Sequence, residues 1–324
     1  MFFYTRAYTS QGFWDFTKDN IADVTSVVGI NCTNPYVTDW VLASFAKELK
    51  EDYHTIIAPG TKDLKAGIVL ESRQRAFVAN VTDATEKPDL DKYFNLQAVG
   101  EKSREKWEQM ELFYKKAKLV HDEWERVYIN NMDFPKLDVF CVNTIQSLVT
   151  EESTEGNAKV YKRFFGTTTP DGTVNYIDHI TQAVAKRYFI KGRPGTGKST
   201  FLKKLSKALT DNGYDIEQYY CSFDPKSLDM VVSRELSFCV FDSTAPHEKF
   251  PTRDTDEILD FYKESGLEGV DEKYKNELQE IKKAYDTLIK SGVKAFKEAV
   301  NIENKEYLSQ FEKVKAAADI KLLF

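Results

Sequence analysis

The chain has 324 residues and a formal net charge of −6, and 42% of its residues are hydrophobic while 30% are charged. These values are typical of a soluble globular protein, and no apolar run approaches the length of a membrane-spanning helix. The negative charge gives no general attraction to phosphate backbones, so we expect neither a membrane nor a nucleic acid among the partners. The N-terminus lacks a secretory signal pattern, which predicts a cytoplasmic protein.

The chain contains a repeat. In each half a turn glycine and an aromatic residue precede a helix-like segment, a strand, another glycine and an amphipathic helix. The repeat predicts two α/β domains with mainly parallel sheets, residues 1–157 and residues 158–324. The segments that correspond are Thr9–Phe16 and Thr169–Tyr176, Val24–Gly29 and Tyr188–Gly192, and Ala79–Thr85 and Cys239–Thr244.

The first half reads Gly29-Ile-Asn-Cys-Thr-Asn-Pro35-Tyr36 after its strand. The corresponding segment of the second half, Gly192-Arg-Pro-Gly-Thr-Gly-Lys198-Ser199, has the glycines, the lysine and the hydroxyl group that a triphosphate-binding loop needs. In the first half, Pro35 stands where the lysine would be and Tyr36 where the hydroxyl residue would be. We therefore expect that this loop does not hold a triphosphate, and that the first half is a degenerate partner domain.

Each half continues into a long charged stretch in which apolar residues recur at steps of three and four, over 107–127 and 274–288. This spacing predicts amphipathic helical arms, either as a pair covering the sheet or as a lid. Pro135 is expected to end the first arm, and Val139–Val142 is predicted to be a buried strand. Polar residues 151–157 are the predicted linker.

The second half contains the strongest motif of the chain. The apolar run Tyr188–Ile190 leads into Gly192-x-x-x-x-Gly197-Lys198-Ser199, and a helical pattern follows. This is the strand, phosphate loop and helix of a P-loop protein. The predicted nucleotide-binding residues are Gly192, Arg193, Pro194, Gly195, Thr196, Gly197, Lys198, Ser199 and Thr200.

The residue types of this loop match the chemistry of a triphosphate. Gly192, Gly195 and Gly197 permit positive φ angles and a concave nest of backbone N–H groups, to which the helix N-terminus adds its dipole. Lys198 is predicted to reach the β- and γ-phosphates, and the Ser199 hydroxyl is the predicted Mg²⁺ ligand.

Three further residues follow predicted strands. Asp242 ends the predicted strand Ser237–Asp242, which a second predicted strand, Ile216–Cys221, and a crossover precede. Asp242 is the predicted second Mg²⁺ ligand, with a turn cap as the alternative. His247 is a candidate for orienting water or sensing the γ-phosphate, or else a structural histidine. Asp224 is the acceptor-side base of a kinase, or else the start of a turn before proline.

Two arginines and one absent motif complete the site prediction. Arg234 and Arg253 are candidate transition-state cations, with exposed surface arginine as the default. A guanine-specifying motif is missing, since Asn304-Lys-Glu-Tyr307 ends in the wrong residue, which favours ATP over GTP. The four cysteines have no paired C-x-x-C spacing and are predicted to be free thiols.

Four segments carry a more specific resemblance: Arg163–Gly166, Arg187–Thr200, Phe223–Met230 and Phe241–Glu248. Together they resemble a family of bacterial tandem P-loop proteins that is described as ATPase or nucleotide kinase. The resemblance covers about residues 160 to 262. It implies an ATP-binding duplicated P-loop fold, and it draws attention to Asp224, Asp242 and His247 beside the loop. Members of that family carry a phosphate loop in the first half too, from which Pro35 and Tyr36 depart.

The sequence thus predicts an ATPase that uses Mg²⁺ and a single site in the second half, with Lys198, Asp242, His247 and Asp224 as the catalytic candidates. Hydrolysis would be coupled to a protein partner or to a conformational change. Two alternatives stay open: a kinase for a nucleotide or another small-molecule acceptor, and an ATP-gated binding module that does not hydrolyse ATP.

Overall fold

The computed structural model describes residues 1–149 and 157–317. The first half begins with a short strand and a β-hairpin, and its last two helices follow the sheet. Its elements are β1 (Phe2–Tyr4), β2 (Arg6–Thr9), β3 (Gly12–Asp15), α1 (Thr17–Ile21), β4 (Ser26–Ile30), α2 (Pro35–Glu48), β5 (His54–Ile57), β6 (Lys65–Leu70), β7 (Arg75–Ala79), α3 (Leu90–Tyr93), α4 (Arg104–Ile129) and α5 (Phe134–Leu148).

The second half repeats this sequence of elements and ends in one very long helix. Its elements are β8 (Val160–Phe164), β9 (Gly166–Thr169), β10 (Gly172–Asn175), α6 (Ile177–Ile180), β11 (Lys186–Lys191), α7 (Lys198–Asp211), β12 (Ile216–Tyr220), β13 (Leu228–Ser233), β14 (Phe238–Asp242), β15 (Glu257–Asp260), α8 (Phe261–Glu264), α9 (Val270–Lys273) and α10 (Lys275–Ala317).

One mixed sheet of eleven strands runs through both halves, in the order β15-β11-β14-β13-β12-β8-β1-β5-β6-β7-β4. Outward from the seam, each half has the same order, β8-β12-β13-β14-β11 and β1-β5-β6-β7-β4. Within each half one strand runs against its neighbours, β13 in the second half and β6 in the first. The prediction of an α/β fold with mainly parallel strands is confirmed, while the joining of both halves into a single sheet was not predicted.

The seam between the halves is a short antiparallel contact in which Tyr4 lies opposite Phe164. Beside it, the buried Arg163 donates from Nε to Asn20 Oδ1 at 2.6 Å and lies 4.0 Å above the Phe3 ring. Glu217 compensates the charge of Arg163 and also pairs with Arg234. A buried cation with carboxylate, amide and aromatic partners from both halves fixes how the two parts of the sheet meet.

The strands are buried because helices cover them. Helix α7 turns Phe201, Leu202, Leu205 and Leu209 into the core, as its predicted amphipathic pattern requires. They pack against a sheet in which every residue of β13 is buried. The predicted strands at Ile216–Cys221 and Ser237–Asp242 are confirmed as β12 and β14.

Helices α4 and α10 are the two predicted arms, and they pack antiparallel along most of their length. Trp107 near the start of α4 donates to Glu303 at 2.6 Å, while Tyr114 further on lies against Gly292. A Cβ atom on Gly292 would approach the Tyr114 ring to 2.5 Å, so glycine is needed for this close approach. The prediction that the two arms are amphipathic helices is therefore confirmed, and the two helices form a pair.

The prediction for residues 135–142 is wrong. Pro135 does not end an arm but stands in the first turn of α5, where the N–H group that proline lacks is not needed. The Asp133 side chain caps this helix by accepting from Lys136 N at 3.0 Å. Val139 and Val142 consequently lie on the exposed face of a helix instead of in a buried strand.

Two other predictions concern the whole chain. The predicted linker at residues 151–157 falls, except for Asn157, outside the described residues. In the parts of the chain that the structure describes, none of the helices has the length and apolar character that crossing a membrane requires.

Candidate functional site

The loop between β11 and α7 has the backbone conformation that its glycines permit. Gly195 and Gly197 adopt φ angles of +78° and +80°, and Gly197 is the N-cap of α7. Gly192 is not in the left-handed region, contrary to the prediction. It is required for space, because a Cβ atom there would lie 2.6 Å from Thr196 Oγ1. Thr196 closes the loop on itself through Oγ1, which donates to Arg193 O at 2.8 Å.

Lys198 lies across the mouth of this loop. Its ammonium group donates to Arg193 O at 2.8 Å and lies 3.6 Å from Asp242 Oδ2, with only 10% of the side chain exposed. The pairing of Ile190 with Asp242 in neighbouring parallel strands explains this proximity, since both strands end at the same edge of the sheet. Lys198 and Asp242 were predicted to belong to one site, and the structure brings them together.

The two predicted metal ligands already have protein partners. Ser199 Oγ accepts a hydrogen bond from Leu228 N at 2.9 Å. Asp242 Oδ1 accepts from the backbone and the hydroxyl group of Thr244, at 3.1 and 2.6 Å. These bonds orient both side chains, and Asp242 keeps Oδ2 directed toward Lys198.

Asp229 is a site residue that sequence reasoning missed. Because β13 runs against its neighbours, its first residues lie at the edge where β14 ends, so Asp229 is near Asp242. Burial and the negative charge of Asp242 raise the pKa of Asp229 to about 8, against the opposing effect of Lys198. The sequence feature that could have revealed Asp229 is the apolar run Met230–Val232, which indicates a strand in the predicted crossover.

Asp224 lies in the turn before β13, which was the alternative to its role as a kinase base. Its Oδ1 accepts from Lys226 N at 3.1 Å, which is the turn before the strand, and from Gln11 Nε2 at 3.0 Å. Its Oδ2 lies 3.3 Å from Lys118 Nζ on α4. Asp224 thus lies at the carboxyl edge of the sheet with both oxygens engaged by groups of the first half.

His247 is packed like a core residue. It is 8% exposed, its ring meets Phe165 edge to face at 4.8 Å, and its Nδ1 atom is buried without a hydrogen-bond partner. Burial lowers the pKa of His247 to about 4, partly offset by Asp242, so the ring is neutral near pH 7. These surroundings favour the structural interpretation of His247.

The interpretation of Arg234 and Arg253 as transition-state cations is wrong. Arg234 follows the far end of β13 and donates to Ile180 O, while Arg253 donates to Val184 O just before β11. Both lie at the opposite edge of the sheet from Lys198. The arginine of the loop itself, Arg193, pairs with Asp271 at 2.6 Å.

Helices of the first half cover the phosphate loop. A Cβ atom on Gly195 would lie 2.7 Å from the carbonyl oxygen of Glu125 in α4, and one on Gly197 would lie 3.2 Å from Leu137 in α5. Asp271 also links α4 to the loop, because it accepts from Tyr128 Oη of α4 at 2.8 Å and from Arg193 of the loop. Sequence patterns predicted these helices but not where they would pack.

The face of α4 that approaches the loop is rich in charged groups. Lys118 contacts Asp122 as well as Asp224, and His121 Nδ1 lies 3.7 Å from Glu125 Oε1. Burial lowers the pKa of His121 and raises that of Glu125; the positive charge of Lys198 adds to the first effect and opposes the second. The site therefore contains titratable groups from both halves.

The corresponding loop of the first half is shorter. Residues 31–33 separate β4 from the N-cap of α2, whereas residues 192–196 separate β11 from the N-cap of α7. Gly29, predicted to open the loop, lies inside β4. The strand register also places Ala79, not Asp83, at the position of Asp242, because Ile30 pairs with Ala79 as Ile190 does with Asp242.

Protein groups occupy the backbone donors of this shorter loop. Thr33 N donates to both carboxylate oxygens of Asp91, at 2.9 and 3.1 Å. Asn34 caps α2 by accepting from Tyr36 N and Val37 N, and its Nδ2 donates to Tyr307 O of α10 at 2.8 Å. The expectation that the first loop does not hold a triphosphate agrees with this geometry.

Comparisons with protein-family models, with curated proteins and with solved structures found no match to this chain.

Proposed function

We propose that the protein is a P-loop NTPase that binds Mg-ATP at residues 192–200 and hydrolyses it there. The observation that carries this proposal is the arrangement of Lys198 between the loop carbonyl of Arg193 and the carboxylate of Asp242. It occurs at the N-terminus of α7, directly after two glycines with positive φ angles. Backbone N–H groups, a helix dipole and one shielded ammonium group are what a triphosphate requires.

The oxygen atoms around Lys198 suit magnesium. Ser199 offers a hydroxyl group, Asp242 and Asp229 offer carboxylates, and Mg²⁺ prefers such ligands. We propose that Ser199 and Asp242 hold the ion, with Asp229 behind them. Bound Mg²⁺ would supply positive charge at the phosphates, and it would favour the ionised form of Asp229.

Lys198 has a role of its own in this proposal. It lies close to Asp242 and is shielded from water, so its charge is effective at short range. On nucleotide binding it would exchange its bond to Arg193 O for the β- and γ-phosphate oxygens. There it would stabilise the negative charge that develops when the terminal bond breaks.

We further propose that the halves are duplicated P-loop domains of which only the second retains a nucleotide site. The common strand order on both sides of the seam supports the duplication. Asp91 and Asn34 at the loop of the first half, with Ala79 in place of an acid, support the loss of its site.

Phosphoryl transfer to a small-molecule acceptor is the second candidate function. The position of Asp224 at the carboxyl edge favours it, because a base for an acceptor hydroxyl belongs there. Hydrolysis stands first because Lys118, Gln11 and the turn already engage both Asp224 oxygens.

Phosphorus NMR of the purified protein with Mg-ATP tests the proposal. We expect steady formation of ADP and phosphate that is lost in Lys198→Ala and retained in Lys207→Ala, a matched change on the exposed face of α7. Equal phosphate release by all three proteins would contradict an active site at this loop. ATP that stays intact while raising the melting temperature of the wild type would exclude hydrolysis without an acceptor.

A further inference from the structure

The inference concerns the residues that the first half brings to the phosphate loop. Helix α4 passes so close to Gly195 that the carbonyl oxygen, Cα and Cβ of Glu125 would all lie within 2.7 to 3.0 Å of a Cβ atom on that glycine. Such an approach tolerates glycine alone. Glu125 is therefore a fixed neighbour of the loop even though it is remote in sequence.

Glu125 has a partner on its own helix. His121 lies one turn earlier, and its Nδ1 atom is 3.7 Å from Glu125 Oε1, which is longer than a hydrogen bond. Nδ1 is buried without a hydrogen-bond partner. The two side chains are only 25% and 34% exposed, so each restricts the orientation of the other.

The charges around this pair come from three elements. Burial raises the pKa of Glu125, Asp122 and Asp224 add to that effect, and Lys118 and Lys198 oppose it. Burial and the same two lysines lower the pKa of His121. The result is a neutral imidazole beside a carboxyl group that takes up a proton more readily than an exposed glutamate does.

Two other acids near the loop already have charged or polar partners. Asp242 faces Lys198, and Asp224 is held by Lys118 and Gln11. Ligand atoms of His121, Asp122 and Glu125 lie within 4.8 Å of one another, as a metal site would require. However, Asp122 is in contact with the ammonium group of Lys118, which is itself a cation in that place. We therefore interpret the cluster as proton-transfer machinery.

We propose that Glu125, oriented by His121, accepts the proton of the attacking water at the phosphate loop, so that the first half supplies a catalytic residue to the site of the second. This inference rests on the proposed function. In the step, the water oxygen forms a bond to the γ-phosphorus while the bond from that phosphorus to the β,γ-bridging oxygen breaks. ADP keeps the electron pair, and the water proton passes to the Glu125 carboxylate and then to solvent.

The test compares Glu125→Gln with Glu125→Asp and with Glu123→Gln, a matched change at an exposed position of the same helix. Phosphate release gives kcat, and titration with a non-hydrolysable ATP analogue and Mg²⁺ gives Kd. We expect Glu125→Gln to lower kcat by about 100-fold, the usual contribution of general base catalysis, with little change in Kd. Glu125→Asp should recover part of kcat, and Glu123→Gln should match the wild type.

A pH series separates catalysis from helix stability. Wild-type kcat should fall at low pH as Glu125 takes up a proton. His121→Gln should shift the pH at which kcat falls while leaving Kd unchanged. A Glu125→Gln protein with wild-type kcat overturns the inference. So does a loss of Kd that equals the loss of kcat, because that result indicates a structural role.

The outcome also distinguishes this inference from the proposed function. Turnover that depends on Lys198 but not on Glu125 would overturn the inference alone. A wild-type protein that neither binds nor hydrolyses Mg-ATP, and that Lys198→Ala leaves unchanged, would overturn both.

Discussion

The two loops that connect a strand to a helix, residues 192–197 and residues 31–34, occupy equivalent places in the sheet and have opposite surroundings. In the second half, glycines with positive φ angles leave backbone donors next to a shielded lysine and an acid. In the first half, a side-chain cap and a carboxylate occupy the donors. Under the proposed function, the same strand–loop–helix architecture gives a nucleotide site in one half and none in the other. The difference lies in whether side chains of the protein already accept hydrogen bonds from the backbone N–H groups of the loop.

The long helices α4 and α10 also make different contacts with the two loops. Helix α10 of the second half reaches back to the first loop, where Tyr307 O accepts from Asn34. Helix α4 of the first half reaches the second loop, where it contacts Gly195 through Glu125. The first contact satisfies the cap of a helix and closes the loop. The second contact brings titratable side chains to the loop that we propose binds the nucleotide.

The largest effect is expected from removing the acid that distinguishes the second half. Asp242→Asn keeps an acceptor for Thr244 but loses a charge at the metal site, so turnover should fall by at least about 100-fold. Chelation of Mg²⁺ should do the same to the wild type. Phosphate release measured against Mg²⁺ concentration checks both expectations. Asp83→Asn in the first half is the control, and a loss there as large as in Asp242→Asn would contradict the comparison.

A side chain at Gly195 should damage the second loop alone. Gly195→Ala is strained at φ +78° and meets the backbone of Glu125, so overpacking should lower the free energy of unfolding by about 1–3 kcal/mol. It should also abolish the rise in melting temperature caused by Mg-ATP. The control is Gly269→Ala, at φ +86° with no atom within 4 Å of the added Cβ. Urea unfolding that is equal for both variants would show that contact with α4 is unimportant.

A substitution in the first loop should affect stability but not nucleotide binding. Asn34→Ala removes a buried helix cap and leaves Tyr307 O without its donor, so it should lower the free energy of unfolding by about 1–2 kcal/mol. The affinity for Mg-ATP should not change. Urea unfolding and analogue titration measure the two quantities, with Asp89→Ala, an exposed cap in the same half, as the milder control. Weaker ATP binding in Asn34→Ala would show that the first loop takes part in nucleotide binding.

The smallest effect concerns pH and the strand end that carries His247. Because the folded protein lowers the pKa of His247 to about 4, while an unfolded chain has a value near 6.5, only the unfolded state takes up this proton between those values. This histidine should therefore reduce the free energy of unfolding as the pH falls, by about 1 kcal/mol at pH 6. His247→Phe should lose this part of the pH dependence. An unchanged slope of stability against pH in the variant would contradict the burial argument.

Sequence patterns predicted local structure well where one chemical requirement dominates. The glycine-rich loop before α7, α7 itself and the strands β12 and β14 were predicted because glycine spacing and apolar periodicity act over a few residues. Residues 139–142 were mispredicted because a short apolar run fits a strand or a helix equally well. Pro135 was misleading for a related reason, since proline both ends helices and begins them.

By itself the sequence determined most of the elements, the repeat and the place of the candidate nucleotide loop, because glycine and apolar spacing restrict the backbone locally. Only the tertiary structure decided that both halves share one sheet, that Asp229 joins Asp242, and that Glu125 lies against Gly195. These contacts join residues far apart in the chain, and they depend on strand direction and helix packing. Neither property leaves a periodic signal in the residues concerned.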